Sequence, residues 1–214
     1  MPVRRIIYFV AATLFAALIV TLPASRVVAQ ESQSSEDSWQ QPELPETFSA
    51  FAIVMGNIAT GRTDSIMIRI TRWTAPEERD ALLATIIEHP EDREALRDAL
   101  QKQEECGFLR GSDVGSRWPS ERLRYAWQWR IEGTGKRRIV LALDRPIGGV
   151  ELWRSTRTLQ YNVSIIVLDI DENGEGSGLA AVGTKLTYDK ELQRFVMENY
   201  SSEPVRLTSV RKTG

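Results

Sequence analysis

Alternation of apolar and polar residues marks a strand near the start of the globular part of the chain. In Ser65–Trp73 three isoleucines occupy every second position, which is the pattern of a half-buried strand. An apolar run of strand length, Phe48–Met55, precedes it. Between them, Gly56–Asp64 is rich in glycine, asparagine and aspartate, which favour a turn. The pattern therefore predicts two neighbouring strands joined by a turn.

The periodicity then changes to that of a helix, with a marked start. Thr74 is a good N-cap residue, Glu77 stands three residues later as in a capping box, and Pro76 lies in the first turn. An apolar stripe follows at helical spacing. Its members are Leu82, Leu83, Ile86 and Ile87.

A second helix is predicted directly after the first. Pro90 ends the first helix, because a proline cannot continue its hydrogen-bond pattern. Glu91–Gln103 has apolar residues on one face and charged residues on the other, and Gly107 is the expected stop. The two helices would form a hairpin laid against the sheet.

From Leu123 onward the chain has the pattern of antiparallel strands separated by glycine-rich turns. Two hairpins and two further strands are predicted. The hairpins are Leu123–Ile131 with Arg137–Leu143 and Tyr161–Ile170 with Leu179–Tyr188, and the further strands are Arg194–Tyr200 and Val205–Val210.

These elements predict an α+β fold. We expect a curved, mostly antiparallel sheet or barrel of about eight strands, with the helix hairpin inserted between strands 2 and 3. The helices would lie on the concave side of the sheet, or would plug the barrel.

The first 29 residues have the order of a secretory signal peptide. A basic start is followed by an apolar core, Ile6–Leu22, and small residues end at Ala29. Because this core is seventeen residues long, an uncleaved membrane anchor is the alternative. Gln30–Glu46 is polar and predicted to be a disordered linker, so residues 47–214 form a single domain. We expect a periplasmic or secreted protein.

Charge narrows the class of partner. Residues 1–29 contain three arginines and no acid, so the mature chain has 24 basic and 29 acidic residues, a net charge of −5. This balance argues against nucleic acid or an anionic membrane surface as the main partner. Cys106 is the only cysteine, which excludes an intramolecular disulfide.

Aromatic residues are the most suggestive candidates for ligand binding. Tyr125, Trp127 and Trp129 share one face of a predicted strand. Facing outward they would form a platform for sugar rings or an apolar ligand; facing inward, which we favour, they would belong to the core. Trp118 and Trp153 fall in predicted loops, where they could line the rim of a pocket.

Signatures of catalysis and of metal binding are weak. His89 is the only histidine, and no zinc, phosphate-loop or dinucleotide motif occurs. Asp169–Glu175 has the first half of a calcium loop, but Ala180 stands where the last acidic ligand should be, so an acidic hairpin turn is the better interpretation. No cofactor is expected. A pair of carboxylates acting on a glycoside stays open.

Several segments together resemble a family of uncharacterised secreted bacterial proteins. The likeness covers most of residues 48–210 and implies an exported single domain, with no activity or catalytic residue to transfer. The segments are Ile66–Arg79, GFLR at Gly107–Arg110, RYA at Arg124–Ala126, RRIVLALDRPI at Arg137–Ile147 and ENYSSEPVRLT at Glu198–Thr208.

Three functional interpretations remain. We favour a non-enzymatic extracytoplasmic protein that binds an apolar small molecule or an envelope partner in a cavity between sheet and helix hairpin. The alternative is a carboxylate-dependent hydrolase of an envelope polysaccharide, which needs two acids about 5 to 10 Å apart. A purely structural interaction domain would show an exposed apolar patch instead.

Overall fold

The computed structural model describes residues 42–54, 62–89, 92, 94–112, 116, 118–147, 162–189, 191, 194–199 and 204–214. The predicted signal peptide, most of the predicted linker and Trp153 lie outside these residues. Within them the chain forms ten strands and two helices. These are β1 Glu46–Val54, β2 Arg62–Ile70, α1 Pro76–Glu88, α2 Ala95–Gln101, β3 Gly107–Gly111, β4 Glu121–Leu123, β5 Tyr125–Arg130, β6 Arg137–Leu143, β7 Val163–Ile170, β8 Glu175–Asp189, β9 Arg194–Asn199 and β10 Val205–Lys212.

All ten strands belong to one antiparallel sheet. Its order is β4-β3-β2-β1-β10-β8-β7-β6-β5, and β9 pairs with the far half of β8. Only Arg124 separates β4 from β5, and its N–H donates to the carbonyl of Ala142 at 2.9 Å. Residues 121–130 therefore form one extended run that pairs with β3 at its start and with β6 at its end. The sheet curves into a nearly closed barrel, which confirms the predicted α+β class and antiparallel pairing.

Apolar side chains fill the interior of this barrel. The predicted alternation in β2 is confirmed, because Ile66, Ile68 and Ile70 are all fully buried. Glu46, at the start of β1, is also fully buried. The side chains from the other strands and loops form one continuous core with them. Examples are Phe48, Leu109, Leu141, Ile147, Ile166 and Leu207.

The two helices pack on the outer face of the barrel. A second apolar cluster joins α1 and α2 to outward-facing residues of β5, β6 and β7. The expectation that the helices lie on the concave side or plug the barrel is therefore wrong, because strand side chains already occupy the interior. The cluster contains Leu82, Leu96, Ala99 and Leu100 from the helices and Tyr125, Ala142, Val163 and Ile165 from the strands.

Helix α1 begins one residue later than its sequence signals predict. Its N-cap is Ala75, whose N–H donates to Glu78 Oε2 at 2.8 Å, so Glu78 replaces Glu77 as the capping acid. Thr74 is buried, and its Oγ1 accepts a hydrogen bond from the N–H of Ala126 at 2.9 Å. Thr74 thus fixes the start of the helix to β5 instead of capping it.

Helix α2 ends before its predicted stop. It finishes at Gln101, and Gly107 is the first residue of β3. Gly107 has a φ of +144°, and a Cβ there would lie 1.9 Å from the carbonyl oxygen of Arg69. Glycine is required at this position because two strands approach closely, not because a helix ends.

Candidate ligand groove

The aromatic residues of β5 face outward, which corrects the inward orientation favoured from the sequence. Tyr125 lies beneath the helices, Trp127 is stacked by the guanidinium of Arg79 at 4.5 Å from its ring centroid, and Trp129 is 41% exposed. Ala126 and Gln128, which alternate with these aromatic residues, point into the barrel and are 0% and 8% exposed. Burial raises the pKa of the Tyr125 hydroxyl.

Trp118 does not join the other aromatic residues. Its side chain belongs to the main core. Its main-chain N–H donates to Ser116 Oγ at 3.2 Å, and its main-chain carbonyl accepts from the N–H of Gly111 at 3.1 Å. Trp118 therefore anchors the segment before β4 and does not line a pocket rim with β5. Trp153 cannot be placed, since it lies outside the described residues.

Strand register links the outer face of β5 to the centre of the sheet. Trp127 lies opposite Val140 and Val140 opposite Val167; Val167 lies opposite Leu179 and Leu179 opposite Arg206. These residues form an outward row that runs across β5, β6, β7, β8 and β10.

A neighbouring row runs parallel to the first one. In it Trp129, Arg138, Asp169 and Ser177 lie opposite one another in turn. The first row is mainly apolar and the second is mainly polar, so the outer face has an amphipathic surface beside the helices.

A groove of about 280 Å³ opens where the two rows cross β7 and β8, and β10 borders it. Val167 and Leu179 supply apolar side chains to its lining. Gly178 has no side chain and Leu207 points into the core, so both contribute backbone. The remaining lining residues are polar, namely Arg138, Asp169, Ser177, Arg206 and Thr208.

A β-bulge in β10 shapes this groove. Between Leu207 and Val210, β10 advances three residues while β8 advances only from Gly178 to Gly176. Ser209, within the bulge, has a positive φ of 49°. An extra residue bends a strand and increases its twist. The bend occurs where the groove opens.

Gly178 allows the neighbouring strands to approach each other closely. A Cβ at this position would lie 2.4 Å from the carbonyl oxygen of Val167. Any larger residue would force β7 and β8 apart. Gly178 therefore permits the close packing of β7 and β8 beneath the groove, and it does not identify a ligand site.

The charges in the groove are only partly neutralised. Arg138 Nε and Nη2 each donate to Asp169 at 2.7 Å, in a bidentate pair that raises the pKa of Arg138. Arg206 is exposed and forms no ion pair with any residue that the structure describes. With two arginines and one carboxylate, the lining has a net charge of +1.

A second charged cluster follows β6 and bears on the hydrolase alternative. Glu121 Oε2 and Asp144 Oδ1 lie 3.6 and 3.3 Å from the same Arg145 Nε, so these two oxygens are at most the sum of those distances apart, 6.9 Å. Asp144 Oδ2 also lies 3.5 Å from Arg124 Nε. Each carboxylate thus has an arginine partner, and Asp144 is buried.

Three further features singled out in the sequence are His89, Cys106 and the acidic segment Asp169–Glu175, and each has a structural explanation. His89 is the exposed C-cap of α1. Cys106 is fully buried, and burial raises the pKa of its thiol. Asp171 Oδ1 accepts from the N–H groups of Asn173 and Glu175, both at 2.9 Å, in the turn before β8. This confirms the hairpin-turn interpretation of the acidic segment.

Two features are absent from the described part of the chain. No cluster of three or more histidine, cysteine, aspartate or glutamate side chains there is arranged to hold a metal ion. None of the helices described has the length and hydropathy needed to cross a membrane.

Comparison of the chain with protein-family models, with curated proteins and with solved structures finds no match. The functional interpretation therefore depends on the chemistry of the groove and of the charged cluster.

Proposed function

We propose that this protein is a non-enzymatic, extracytoplasmic binding protein that holds an apolar small molecule or an envelope partner in the outer groove. The observation that carries this proposal is the groove itself, in which apolar side chains are surrounded by polar groups. Small-molecule sites commonly combine an apolar lining with a few polar groups that orient the ligand. The signal-peptide pattern of residues 1–29 supports an extracytoplasmic location.

The apolar contribution comes from two half-buried side chains, Val167 and Leu179. Complete burial of such a side chain is worth about 1.5–3 kcal/mol, and each of these still has only part of that burial to gain. The apolar contact alone therefore gives weak binding. The polar groups around the groove must supply the rest of the affinity and the specificity.

The proposal predicts that blocking the groove abolishes binding. Val167→Trp places a large ring in the groove from the centre of the sheet. Met67→Trp, on the outer face of β2, is the matched control because Met67 is also half-buried and does not line the groove. Protein purified from its own host would be analysed by native mass spectrometry for a retained small molecule, and by pull-down for an envelope partner.

We expect wild type and Met67→Trp to retain the bound species and Val167→Trp to lose it. Equal retention of the bound species by both variants would show that the binding site lies outside the groove. If wild type from repeated preparations shows only the unliganded mass and captures no envelope partner, the proposed binding function is overturned.

The two-carboxylate hydrolase is the second candidate, and the Glu121–Asp144 cluster is the observation that favours it. No more than 6.9 Å separates one oxygen of each acid, which is compatible with the spacing of about 5 to 5.5 Å between the carboxyl groups of retaining glycoside hydrolases. Against it, each acid already pairs with arginine. Turnover of an envelope glycan that disappears in Glu121→Gln would support this candidate, and a screen without turnover would remove it.

A further inference from the structure

We propose that the groove is specific for a monocarboxylate with a short apolar body. This inference rests on the proposed binding function and adds the chemical class of the ligand. It follows from the charge that the groove leaves unbalanced and from the order of side chains along its outward row.

Arg206 provides the unbalanced charge. The guanidinium of Arg138 is already engaged by both carboxylate oxygens of Asp169. Arg206 has no such partner among the described residues, although it lines the same groove. A singly charged carboxylate would balance it, and guanidinium groups bind carboxylates through paired hydrogen bonds. A doubly charged phosphate ester would leave one negative charge in excess.

Hydroxyl groups near Arg206 can complete the recognition of the anion. Ser177 on β8 and Thr208 on β10 both line the groove. Each hydroxyl can donate one hydrogen bond to a carboxylate oxygen. The carboxylate would thus lie at the β10 side of the groove, next to the bulge.

The apolar body would extend from Arg206 toward β7. Leu179 lies directly opposite Arg206, and Val167 lies opposite Leu179. Neighbouring strands are about 4.8 Å apart, so this direction offers an apolar path of roughly 10 Å. The groove volume of about 280 Å³ equals about nine water molecules at roughly 30 Å³ each. Octanoate, with ten non-hydrogen atoms, is a probe of suitable size.

Binding of octanoate and of octan-1-ol to the wild-type protein would be compared by NMR titration. We expect octanoate to bind at least about tenfold more tightly, because the alcohol cannot use the charge of Arg206. Arg206→Gln should remove this preference and leave the weak binding of octan-1-ol unchanged. Arg206→Lys, which keeps the charge and loses the planar fork, should retain part of it.

Arg211→Gln is the matched control. Arg211 is an exposed arginine of the same strand, does not line the groove, and lies 3.4 Å from Glu175. It should leave octanoate binding unchanged, and thermal unfolding of both glutamine variants would confirm that they fold.

Equal binding of octanoate and octan-1-ol, or preservation of the preference in Arg206→Gln, would overturn the inference. Tighter binding of octyl phosphate would overturn the monocarboxylate specificity. No binding of octanoate would also overturn it. The proposed function would survive any of these results if wild type still retains a species that Val167→Trp loses.

Discussion

The two ends of β6 each have a buried glutamate beside an arginine, yet the pKa values of the two glutamates shift in opposite directions. At the start of β6, Arg137 donates to both oxygens of Glu46 at 2.7 and 2.8 Å, and Lys212 Nζ lies 2.8 Å away. Seven residues later, roughly 23 Å along an extended strand, Asp144 joins Glu121 through Arg145. There Glu121 Oε2 lies 3.6 Å from Nε of Arg145, an arginine that is half exposed.

These contacts decide the pKa of each acid. Burial alone would raise the pKa of Glu46, but hydrogen bonds and charges from Arg137 and Lys212 outweigh it and lower the pKa below its ordinary value. Burial also raises the pKa of Glu121; Arg145 opposes the rise, Asp144 adds to it, and the pKa stays raised. Cations at hydrogen-bond distance thus lower the pKa of a buried acid, whereas an arginine at 3.6 Å does not offset the effect of burial.

The largest effect is expected for Glu46→Gln at neutral pH. The variant leaves Arg137 buried without its carboxylate, and breaking a buried pair in this way costs about 3–5 kcal/mol in the free energy of unfolding. Urea denaturation would measure it. Glu175→Gln, which breaks an exposed pair with Arg211, should cost less than about 1 kcal/mol. Equal losses in the free energy of unfolding for the two variants would show that the contacts of Glu46 stabilise the protein no more than an exposed ion pair does.

The same variant has a defined pH dependence. Because the pKa of Glu46 is lower in the folded state, its stabilising contribution is present above its ordinary pKa and is lost as pH falls through the folded value. The difference between wild type and Glu46→Gln should therefore shrink as pH falls from about 5 to about 2. A difference that stays constant over this range would assign the effect to packing.

An intermediate effect is expected for Asp144→Asn at the other end of β6. Arg124 Nε is buried and has no hydrogen-bond partner, so it depends on Asp144 at 3.5 Å for compensation. We expect a loss of about 1–3 kcal/mol in urea denaturation. The change should also lower the pKa of Glu121, measurable by carbon-detected NMR, because it removes a nearby negative charge. A loss as large as that of Glu46→Gln would contradict the comparison.

The smallest effect, within about 1 kcal/mol at neutral pH, is expected for Glu121→Gln. Because the pKa of Glu121 is raised in the folded state, its contribution is full below its ordinary pKa and is lost as pH rises through the folded value. The variant should therefore gain stability relative to wild type between about pH 4 and pH 7. A growing disadvantage over that range would mean that Arg145 stabilises the charged form.

Much of the fold could be predicted from local patterns. The alternation in β2 and the glycine-containing turn between β5 and β6 correspond to the structure, because both depend on residues close in sequence. The short strands β3 and β4 were not predicted. Gly107 before β3 looks like a helix stop, since the sequence does not show whether a glycine follows a helix or lies against another strand.

The candidate groove could not be predicted, because its parts are distant in sequence. The alternation of side chains along a strand shows that Trp127 and Trp129 share a face, but it does not show which face of the strand is outside. The orientation is decided by Gln128, which lies between the two tryptophans and points into the barrel. There its Oε1 accepts a hydrogen bond from Arg137 Nη1 at 2.7 Å. The groove itself joins residues 138 and 208 through strand register and a bulge. No sequence pattern marked the groove, because Gly176 and Gly183 are also glycines inside β8 and do not line it.

The position of β10 has a consequence for how the molecule forms. This strand follows every other strand in chain order, yet it lies between β1 and β8. Before it is in place, the run of residues 121–130 still joins the two halves of the sheet, but β1 and β8 have open edges that invite association with other chains. Pairings of such large sequence separation also form slowly. Completion of the sheet is therefore a late event, so the chain stays incompletely folded until its last strand has been added.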